Sequence, residues 1–512
     1  MKIANFQQSV KTNLKNMTDI PFLMLDDKGA PQTPLYRQIY EGIRGAILSG
    51  KLVSGTRLPA SRVLAKNLGV SRLTVVNAFE QLLAEGYLEG KTGAGTFVAS
   101  RLPEDLLLIS DARTKNDRAE LTEEKVKISK FAERLAETQT RVSRFQSTNA
   151  SVPFKNGLTA VREFPFEIWE KIAARVYRQA RYKISGYGEA AGLRPLREAV
   201  AAHFADARGV HCETEQIFIT NGAQQALDLT ARVLLETGDK VWIEDPCYQE
   251  ALGVFRAVGA QIVPVAVDAE GFDLAAAEKQ CAAAKIVYIT PSHQYPTGVT
   301  MSLARRLSLL EWARKTGAWI IEDDYNSEFR YTGRPLASLQ NLDKRERVIY
   351  VGTFSKTIFP ALRLGCMVVP KNLIEIFRAA RNLSDCHSPI FEQAILAGFI
   401  AEGHFARHLR RMRTLYEKRQ NVLVEEAEKN LKGLLKVSKA SSGMHLIGWL
   451  APGFDVQAVA EKAFENDLCL TPLSSYCIEN KLPPAVILGY TGFDEKEIRQ
   501  GVRKLKEVLE KF

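Results

Sequence analysis

Short apolar runs recur through the last two-thirds of the chain, and they constrain its fold more than any other feature. From about Val152 onward they alternate with segments of helical spacing; the runs lie at residues 216–220, 240–243, 285–290, 319–322 and 348–352. Short, continuously apolar strands are typical of sheets buried on both faces, and strand–helix alternation makes neighbouring strands parallel. The sequence therefore predicts an α/β domain with a mainly parallel sheet over residues 151–512.

The remaining third of the chain divides into two further parts. A chain of 512 residues with 46% hydrophobic content exceeds what one core requires, so we expect more than one domain. Residues 102–150 contain nine acidic and nine basic residues and no glycine, a composition that favours a partly helical linker over a packed core. We predict a small α+β domain at residues 31–101 and a linker at 102–150.

Charge, cysteines and hydropathy indicate where the protein acts. Half of the net charge of +10 lies in residues 31–101, which carry nine basic and four acidic residues, and this favours a polyanionic partner. The seven cysteines form no C-x-x-C pair, as in a reducing cytosol. No run approaches 18 apolar residues, so we expect a cytoplasmic protein that neither enters a membrane nor is secreted, and we predict no metal site.

The small N-terminal domain has the pattern of three helices followed by a hairpin. Apolar residues at helical spacing mark the first helix at residues 34–48, and Leu68-Gly69-Val70 forms a sharp turn between the next two. Ser71 can cap the third helix, whose first turn exposes Arg72 and Thr74. Residues 87–98 then place two β-prone segments around a glycine-containing tip.

This arrangement resembles the winged helix-turn-helix of the GntR superfamily over residues 34–98. The resemblance implies that the partner is a double-stranded DNA operator, with the third helix reaching the major groove. The contacts that it implies are Arg62, Ser71, Arg72, Thr74 and Lys91. The alternative is a helical accessory domain whose basic side chains contact only water.

In the large domain, one lysine directly follows a predicted strand. Residues 351–365 place Thr353 and Ser355 before Lys356, and Arg363 seven positions after it. Lys356 can form a Schiff base with an aldehyde cofactor, while the hydroxyls and the arginine can bind a phosphate beside it.

Another strand of this domain ends in Asp323-Asp324-Tyr325. One of the two carboxylates can keep a pyridine nitrogen protonated, and the tyrosine can bind a phenolic oxygen. Strand alternation directs the two aspartates to opposite faces, so only one can serve.

Together these segments resemble fold-type I aminotransferases from about Val152 to the C-terminus, and the resemblance implies pyridoxal 5'-phosphate as the cofactor. It favours Asp323 for the pyridine nitrogen and has Tyr248 stack on the ring. Tyr187 would reach the phosphate of a neighbouring subunit, which implies a homodimer. The resemblance also implies that a turn into a helix holds the phosphate through its amides, at Gly222, Ala223 and Gln224.

A DNA reader followed by an aminotransferase-like domain resembles the MocR/GabR family of regulators. This implies a PLP-dependent, DNA-binding transcription regulator that senses a small amine, an amino acid or pyridoxal phosphate itself through an internal aldimine on Lys356. The alternative is a catalytically active aminotransferase with an accessory DNA-binding domain. We expect at most residual transaminase activity.

Two positions depart from classical aminotransferases. Tyr295 stands where they have an asparagine, so Tyr325 is expected to bind the phenolic oxygen alone. Ile487 stands where they have an arginine that binds the substrate carboxylate, which weakens the case for an ordinary α-amino acid. A carboxylate anchor could instead come from elsewhere, such as Arg410, Arg411 or Arg413.

Overall fold

A computed structural model describes residues 33–91, 94–103, 127–138, 152–180, 182–333 and 337–512. The chain separates into two compact units, residues 1–127 and 128–512. The division falls inside the range predicted as a linker. Within the described ranges, no helix combines the length and the apolar character that crossing a bilayer requires.

The smaller unit contains the predicted three helices, α1 (Leu35–Leu48), α2 (Ser61–Leu68) and α3 (Arg72–Ala84). One face of α1 is buried through Ile39, Ile43 and Ile47, while Leu35, at its first residue, is exposed. The apolar spacing of the sequence thus marks the buried face of this helix from its second turn onward.

The turn between α2 and α3 is formed as predicted. Gly69 adopts a left-handed conformation (φ 67°) and ends α2, a position that a residue with a Cβ occupies only with strain. The Ser71 hydroxyl then caps α3 by accepting a hydrogen bond of 3.1 Å from the Thr74 amide. Val75, Phe79 and Leu82 of α3 are buried against the other two helices.

The predicted hairpin consists of β1 (Leu88–Lys91) and β2 (Gly95–Val98), which pair antiparallel with Leu88 opposite Val98. The two residues at its tip, Thr92 and Gly93, lie outside the described residues. The hairpin completes an α+β winged helix-turn-helix.

A short helix, α4 (Lys130–Glu137), lies within the predicted linker range and packs on the larger unit. Ser129 caps it, and the Arg134 guanidinium donates a hydrogen bond of 2.8 Å to the backbone carbonyl of Ala257. Part of the range predicted as a linker is therefore helical and belongs to the larger unit.

The larger unit is built around one mixed sheet. Its strands are β3 (Ile217–Thr220), β4 (Lys240–Asp245), β5 (Gln261–Asp268), β6 (Gly271–Phe272), β7 (Ile286–Ile289), β8 (Trp319–Asp324), β9 (Val348–Thr353) and β10 (Gly365–Val368). Their spatial order is β3-β10-β9-β8-β7-β4-β5-β6. The five strands from β9 to β5 are parallel, whereas β10 is antiparallel to both of its neighbours and β6 is antiparallel to β5. The prediction of a mainly parallel sheet is confirmed.

Helices separate most of these strands along the chain, and apolar clusters lie on both sides of the sheet. The helices that precede, separate and follow these strands are α5 (Phe166–Gln179), α6 (Arg194–Arg208), α7 (Ala223–Leu234), α8 (Gln249–Ala257), α9 (Leu274–Gln280), α10 (Leu303–Thr316), α11 (Leu339–Leu342), α12 (Ile374–Asp385), α13 (Ile390–Ala401) and α14 (His404–Asn430). This is the arrangement expected when apolar strands are covered on both faces.

The C-terminal part forms a smaller antiparallel sheet of order β11-β12-β14-β13, which α14 and two further helices cover. Its elements are β11 (Leu435–Val437), β12 (His445–Leu450), α15 (Val456–Glu465), β13 (Thr471–Pro472), β14 (Ala485–Gly489) and α16 (Glu495–Leu509). The loop before β12 and the segment around residue 156 approach the carboxyl ends of the large sheet's parallel strands, and a cavity lies there.

Candidate cofactor site and nucleic-acid interface

The cavity has a volume of about 320 Å³ and lies at the carboxyl ends of β4, β7, β8 and β9. Ligands of open α/β sheets usually bind at this edge. Its walls come from both sheets and from the first residues of the larger unit; they include Asn156, Gly157, Ala223, Gln224, Tyr248, Glu250, Tyr288, Tyr295, Asp323, Tyr325, Thr353, Ser355, Lys356, Arg363, His445 and Tyr476.

Lys356 follows β9 directly and extends its amino group into this cavity. The Nζ atom lies 3.1 Å from the backbone carbonyl of Gly157, to which it donates a hydrogen bond. Burial lowers the pKa of Lys356, and the nearby Glu250 carboxylate opposes that shift. A lysine held in this way is closer to the neutral form that attacks a carbonyl carbon.

Asp323 and Asp324 end β8 and point to opposite faces, as strand alternation predicted. Asp323 lines the cavity, whereas Asp324 accepts a hydrogen bond of 2.7 Å from Tyr350 and pairs with Arg208 at 3.3 Å on the other face. Burial raises the pKa of Asp323 to about 7. Of the two carboxylates, only Asp323 is placed to meet a ring in the cavity.

Three aromatic residues complete the same wall. Tyr248 precedes α8, and its ring meets that of Tyr295 edge-on at 5.8 Å; Tyr295 in turn meets Tyr325 edge-on at 5.5 Å. The Tyr295 hydroxyl is bonded to the Asn156 amide at 2.9 Å and to Tyr476 at 3.1 Å. Tyr295 therefore faces the cavity but already has two hydrogen-bond partners.

The predicted phosphate-binding residues gather at the N-terminus of α7. Gly222 precedes that helix with a φ of 79°, and a Cβ there would lie 3.4 Å from the Arg363 guanidinium. Arg363 donates a hydrogen bond of 3.1 Å to the Asn221 carbonyl. The remaining members of the group, Ala223, Gln224, Thr353 and Ser355, line the cavity. Helix amides, hydroxyls and a guanidinium together form a site suited to an anion.

Several residues lie elsewhere than the cofactor site. Tyr187 is 94% exposed and stands at the surface, outside the cavity wall of its own chain, so its approach to a neighbouring subunit stays a prediction. Arg410, Arg411 and Arg413 are exposed on α14 and outside the cavity, which makes the suggested carboxylate anchor wrong for their own chain. Ile487 is fully buried in β14.

Sequence reasoning missed several polar residues of the cavity, among them Asn156, Tyr288, His445, Tyr476 and Glu250. They come from segments without a recognisable motif, and only the tertiary structure brings them together. The alternation of β7 could have identified one of them, because Tyr288 lies on the strand beside Asp323 and faces the same way.

The predicted DNA contacts lie on α2, on α3 and on the hairpin of the smaller unit. Arg62 and Arg72 are exposed, and Arg72 donates a hydrogen bond of 3.4 Å to Ser61. Lys91 lies 3.6 Å from Glu89 and 5.1 Å above the Phe97 ring. The hydroxyls of Ser71 and Thr74 are 2.8 Å apart, so both serve the start of α3. Contacts of these residues with DNA stay predictions.

Comparison with known protein families identifies both units. The model for aminotransferase class I and II matches residues 158–504, and that for bacterial regulatory proteins of the gntR family matches residues 35–98. The chain is 38% identical to the probable rhizopine catabolism regulatory protein MocR of Rhizobium meliloti, over 93% of this chain and 94% of that protein. This protein belongs to the MocR/GabR family. Like that family, it is a DNA-binding transcription regulator with a pyridoxal-phosphate-dependent domain.

Two further similarities agree with membership of the MocR/GabR family. An HTH-type transcriptional regulator of Bacillus subtilis, YdeL, is 34% identical over 92% of this chain and 96% of its own. Among solved structures, the α-aminoadipate aminotransferase LysN of Thermus thermophilus, complexed with N-(5'-phosphopyridoxyl)-L-leucine, is 28% identical with a TM-score of 0.68, covering 75% of this chain and 97% of that one.

The cavity of this MocR/GabR-family protein fits pyridoxal phosphate. Four of its buried polar atoms have no hydrogen-bond partner in the described part of the chain: Asp323 Oδ1, Tyr325 Oη, Ser355 Oγ and Gln224 Oε1. Unpartnered buried polar atoms are costly, and here they face one cavity beside a lysine. Asp323 Oδ1 suits a protonated pyridine nitrogen, Tyr325 Oη a phenolic oxygen and Ser355 Oγ a phosphate.

Proposed function

We propose that this regulator senses a small amine at Lys356 and that occupancy of the cavity changes its affinity for operator DNA. The observation that carries the proposal is that the cofactor-binding residues are present while the usual carboxylate-binding arginine is missing. Lys356, Asp323 and Arg363 line a cavity suited to the cofactor, while the position of the usual carboxylate anchor is the buried, apolar Ile487. A site that binds amines without that anchor suits recognition better than efficient transamination.

The roles of the chain's own residues follow from their placement. When bound, pyridoxal phosphate supplies an electrophilic carbonyl carbon to which primary amines add reversibly. Lys356 would bond to that carbon in the absence of an amine, and its lowered pKa favours the neutral amino group. Asp323 would share a proton with the ring nitrogen, Tyr325 would bind the phenolic oxygen, and Arg363 and the start of α7 would hold the phosphate.

A change in DNA binding requires that amine-bound and amine-free states differ in stability between two arrangements of the protein. We propose a cytoplasmic homodimer in which Tyr187, exposed in its own chain, contacts the neighbouring subunit's cofactor. Two DNA readers per dimer would then contact half-sites about 34 Å apart, or a multiple of that spacing. Arg62, Ser71, Arg72, Thr74 and Lys91 are the proposed contacts.

A working aminotransferase with an accessory DNA-binding unit is the second candidate. It is favoured by the complete set of cofactor residues, because Lys356 and Asp323 are also what transamination needs. Amino donors and keto acceptors should be assayed for turnover beside footprinting on the DNA next to the protein's own gene. We expect protected DNA and little turnover; sustained turnover without protection would establish the enzyme instead.

The identity of the effector is tested by titration. Cofactor is added to cofactor-free protein on operator DNA, first alone and then with a series of primary amines. We expect the DNA affinity to change on addition of an amine. A full change with pyridoxal phosphate alone would show that the cofactor itself is the effector. Lys356→Ala should abolish the visible absorbance of lysine-bound cofactor and the response to amines, while circular dichroism shows an unchanged fold.

A further inference from the structure

Glu250 is an acidic side chain of the cavity wall that none of the cofactor roles uses. It lies in the first turn of α8, two residues after the stacking residue Tyr248. Its backbone carbonyl accepts a hydrogen bond from Gln224, but no other residue in the described ranges donates one to its carboxylate or forms an ion pair with it. Its own backbone amide donates to the carboxylate, which keeps further acceptor sites for a donor from a ligand.

The charge of Glu250 acts on two other residues of the same cavity wall. Burial lowers the pKa of Lys356, and the charge of Glu250 partly restores it. Burial raises the pKa of Tyr476 to about 12, and Glu250 contributes a smaller part of that increase. The carboxylate thus lies within electrostatic range of the amine-binding lysine and of Tyr476 in the cavity wall. Burial also raises the pKa of Glu250, against the smaller opposing effects of its own backbone amide and of Lys356. A cationic or hydrogen-donating ligand would relieve that cost.

Few basic side chains of the cavity wall could bind a negatively charged ligand. Arg363 belongs to the phosphate end and Lys356 to the cofactor, while Ile487, at the position of the usual anchor, is buried outside the cavity wall. Lys155 is the remaining basic side chain of the cavity wall. Lys155 supports the competing prediction that the ligand carries a carboxylate. The experiment must therefore distinguish a ligand with a carboxylate from one whose far end donates hydrogen bonds.

We infer that Glu250 determines effector specificity, and that the effector is a primary amine whose far end donates hydrogen bonds, as an ammonium or hydroxyl group, and carries no carboxylate. This inference rests on the proposed function, because it assumes that the effector amine binds at Lys356. The amino group meets the cofactor, and the far end meets the Glu250 carboxylate. A charge-assisted hydrogen bond of this kind strengthens binding by about tenfold or more.

The test uses the full-length, cofactor-loaded protein and four amines of equal chain length: putrescine, aminobutanol, butylamine and γ-aminobutyrate. Binding is followed by the change in cofactor absorbance, and the effect on operator affinity is measured in parallel. We expect putrescine and aminobutanol to bind more tightly than butylamine, putrescine by about tenfold. We expect γ-aminobutyrate to bind the most weakly.

Substitutions of Glu250 test whether this residue causes the preference among the amines. Glu250→Gln keeps the shape of the side chain and should remove the preference for putrescine over butylamine, and Glu250→Arg should favour γ-aminobutyrate. The control, Glu278→Gln, removes an exposed acid from α9 and should leave the order unchanged. Tightest binding of γ-aminobutyrate to the unmodified protein, or an unchanged preference in Glu250→Gln, would overturn the inference alone. If no amine altered the absorbance or the DNA affinity, the proposed function would fail as well.

Discussion

The hydroxyl of Tyr288 donates a hydrogen bond of 2.8 Å to one carboxylate oxygen of Asp323, while the other oxygen has no partner among the described residues. One hydrogen bond does not offset the loss of hydration of a fully buried carboxylate, and burial raises its pKa to about 7. In the cofactor-free protein, Asp323 is therefore a source of instability that the ring nitrogen would relieve.

Asp323→Asn should stabilise the cofactor-free protein at alkaline pH. Between the ordinary pKa of an aspartate, near 4, and about 7, the folded state holds a proton that the unfolded state has released, so the stability of the unmodified protein falls as pH rises. Above pH 7 the variant should gain up to about 4 kcal/mol relative to the unmodified protein, and below pH 4 nothing. Urea denaturation across this range measures the difference.

The same variant should bind pyridoxal phosphate more weakly, because an amide cannot hold the ring nitrogen protonated. Asp324→Asn provides the comparison: it should destabilise the protein, since it leaves the buried guanidinium of Arg208 with less compensation. Equal pH dependence of stability in Asp323→Asn and in the unmodified protein would contradict the assignment.

Gly157→Ala should reduce covalent attachment of the cofactor. Gly157 has a φ of 81°, and an added Cβ would lie 2.8 Å from Lys356 Nζ. Borohydride trapping followed by mass spectrometry should find less cofactor on Lys356. Gly433→Ala is a matched control, because Gly433 has a φ of 86° with nothing within 4 Å of its added Cβ. Both variants strain the backbone, but only the first should change attachment.

Arg363→Met should weaken binding of pyridoxal phosphate by about 10- to 100-fold, the loss expected for charge-assisted hydrogen bonds to a phosphate. Fluorescence titration of the cofactor-free protein measures the dissociation constant. Pyridoxal, which lacks the phosphate, serves as the control ligand and should bind the variant and the unmodified protein alike. An equal loss for both ligands would indicate a general disturbance of the cavity.

Arg72→Ala should weaken operator binding by about tenfold and leave the cofactor absorbance unchanged, because Arg72 is exposed at the start of α3. Binding is measured at several salt concentrations, and a lost phosphate contact should reduce the salt dependence by about one ion. Lys436→Ala removes the same charge from an exposed position of β11 and should have little effect.

Ser71→Ala should destabilise α3 before it affects any DNA contact. The Ser71 hydroxyl accepts a hydrogen bond of 3.1 Å from the Thr74 amide, and loss of such a cap lowers the free energy of unfolding by about 1 kcal/mol. Hydrogen exchange of the Thr74 amide should accelerate in the variant. Ser71→Asp restores an acceptor and should recover slow exchange; unchanged exchange in the alanine variant would show that the cap contributes nothing.

Much of the fold could be predicted from the sequence, because buried segments show as apolar patterns in their own residues. The strands that contain Trp319 and Val348 read as continuous apolar runs, and the turn at Gly69 has the residue that a left-handed conformation requires. Antiparallel β10 was not predicted, since its direction depends on where the chain returns after Lys356 rather than on its own residues.

The site was predictable only in part for the same reason. Lys356, Asp323 and Arg363 follow buried strands in short motifs that carry cofactor chemistry. Glu250 reads in sequence as an ordinary acid in the first turn of a helix, where it suits the helix dipole. Asn156 belongs to a segment about two hundred positions before Lys356, and only folding brings the two into one cavity.

Helix α8 connects the effector end of the cavity with the start of the larger unit. Its first turn carries Glu250, and its last residue, Ala257, accepts the hydrogen bond from Arg134 of α4. Nine residues of helix span about 13 Å, so the two contacts lie at opposite ends of one element. A ligand bound to Glu250 would therefore act on the same helix that anchors α4, the first helix described in the larger unit.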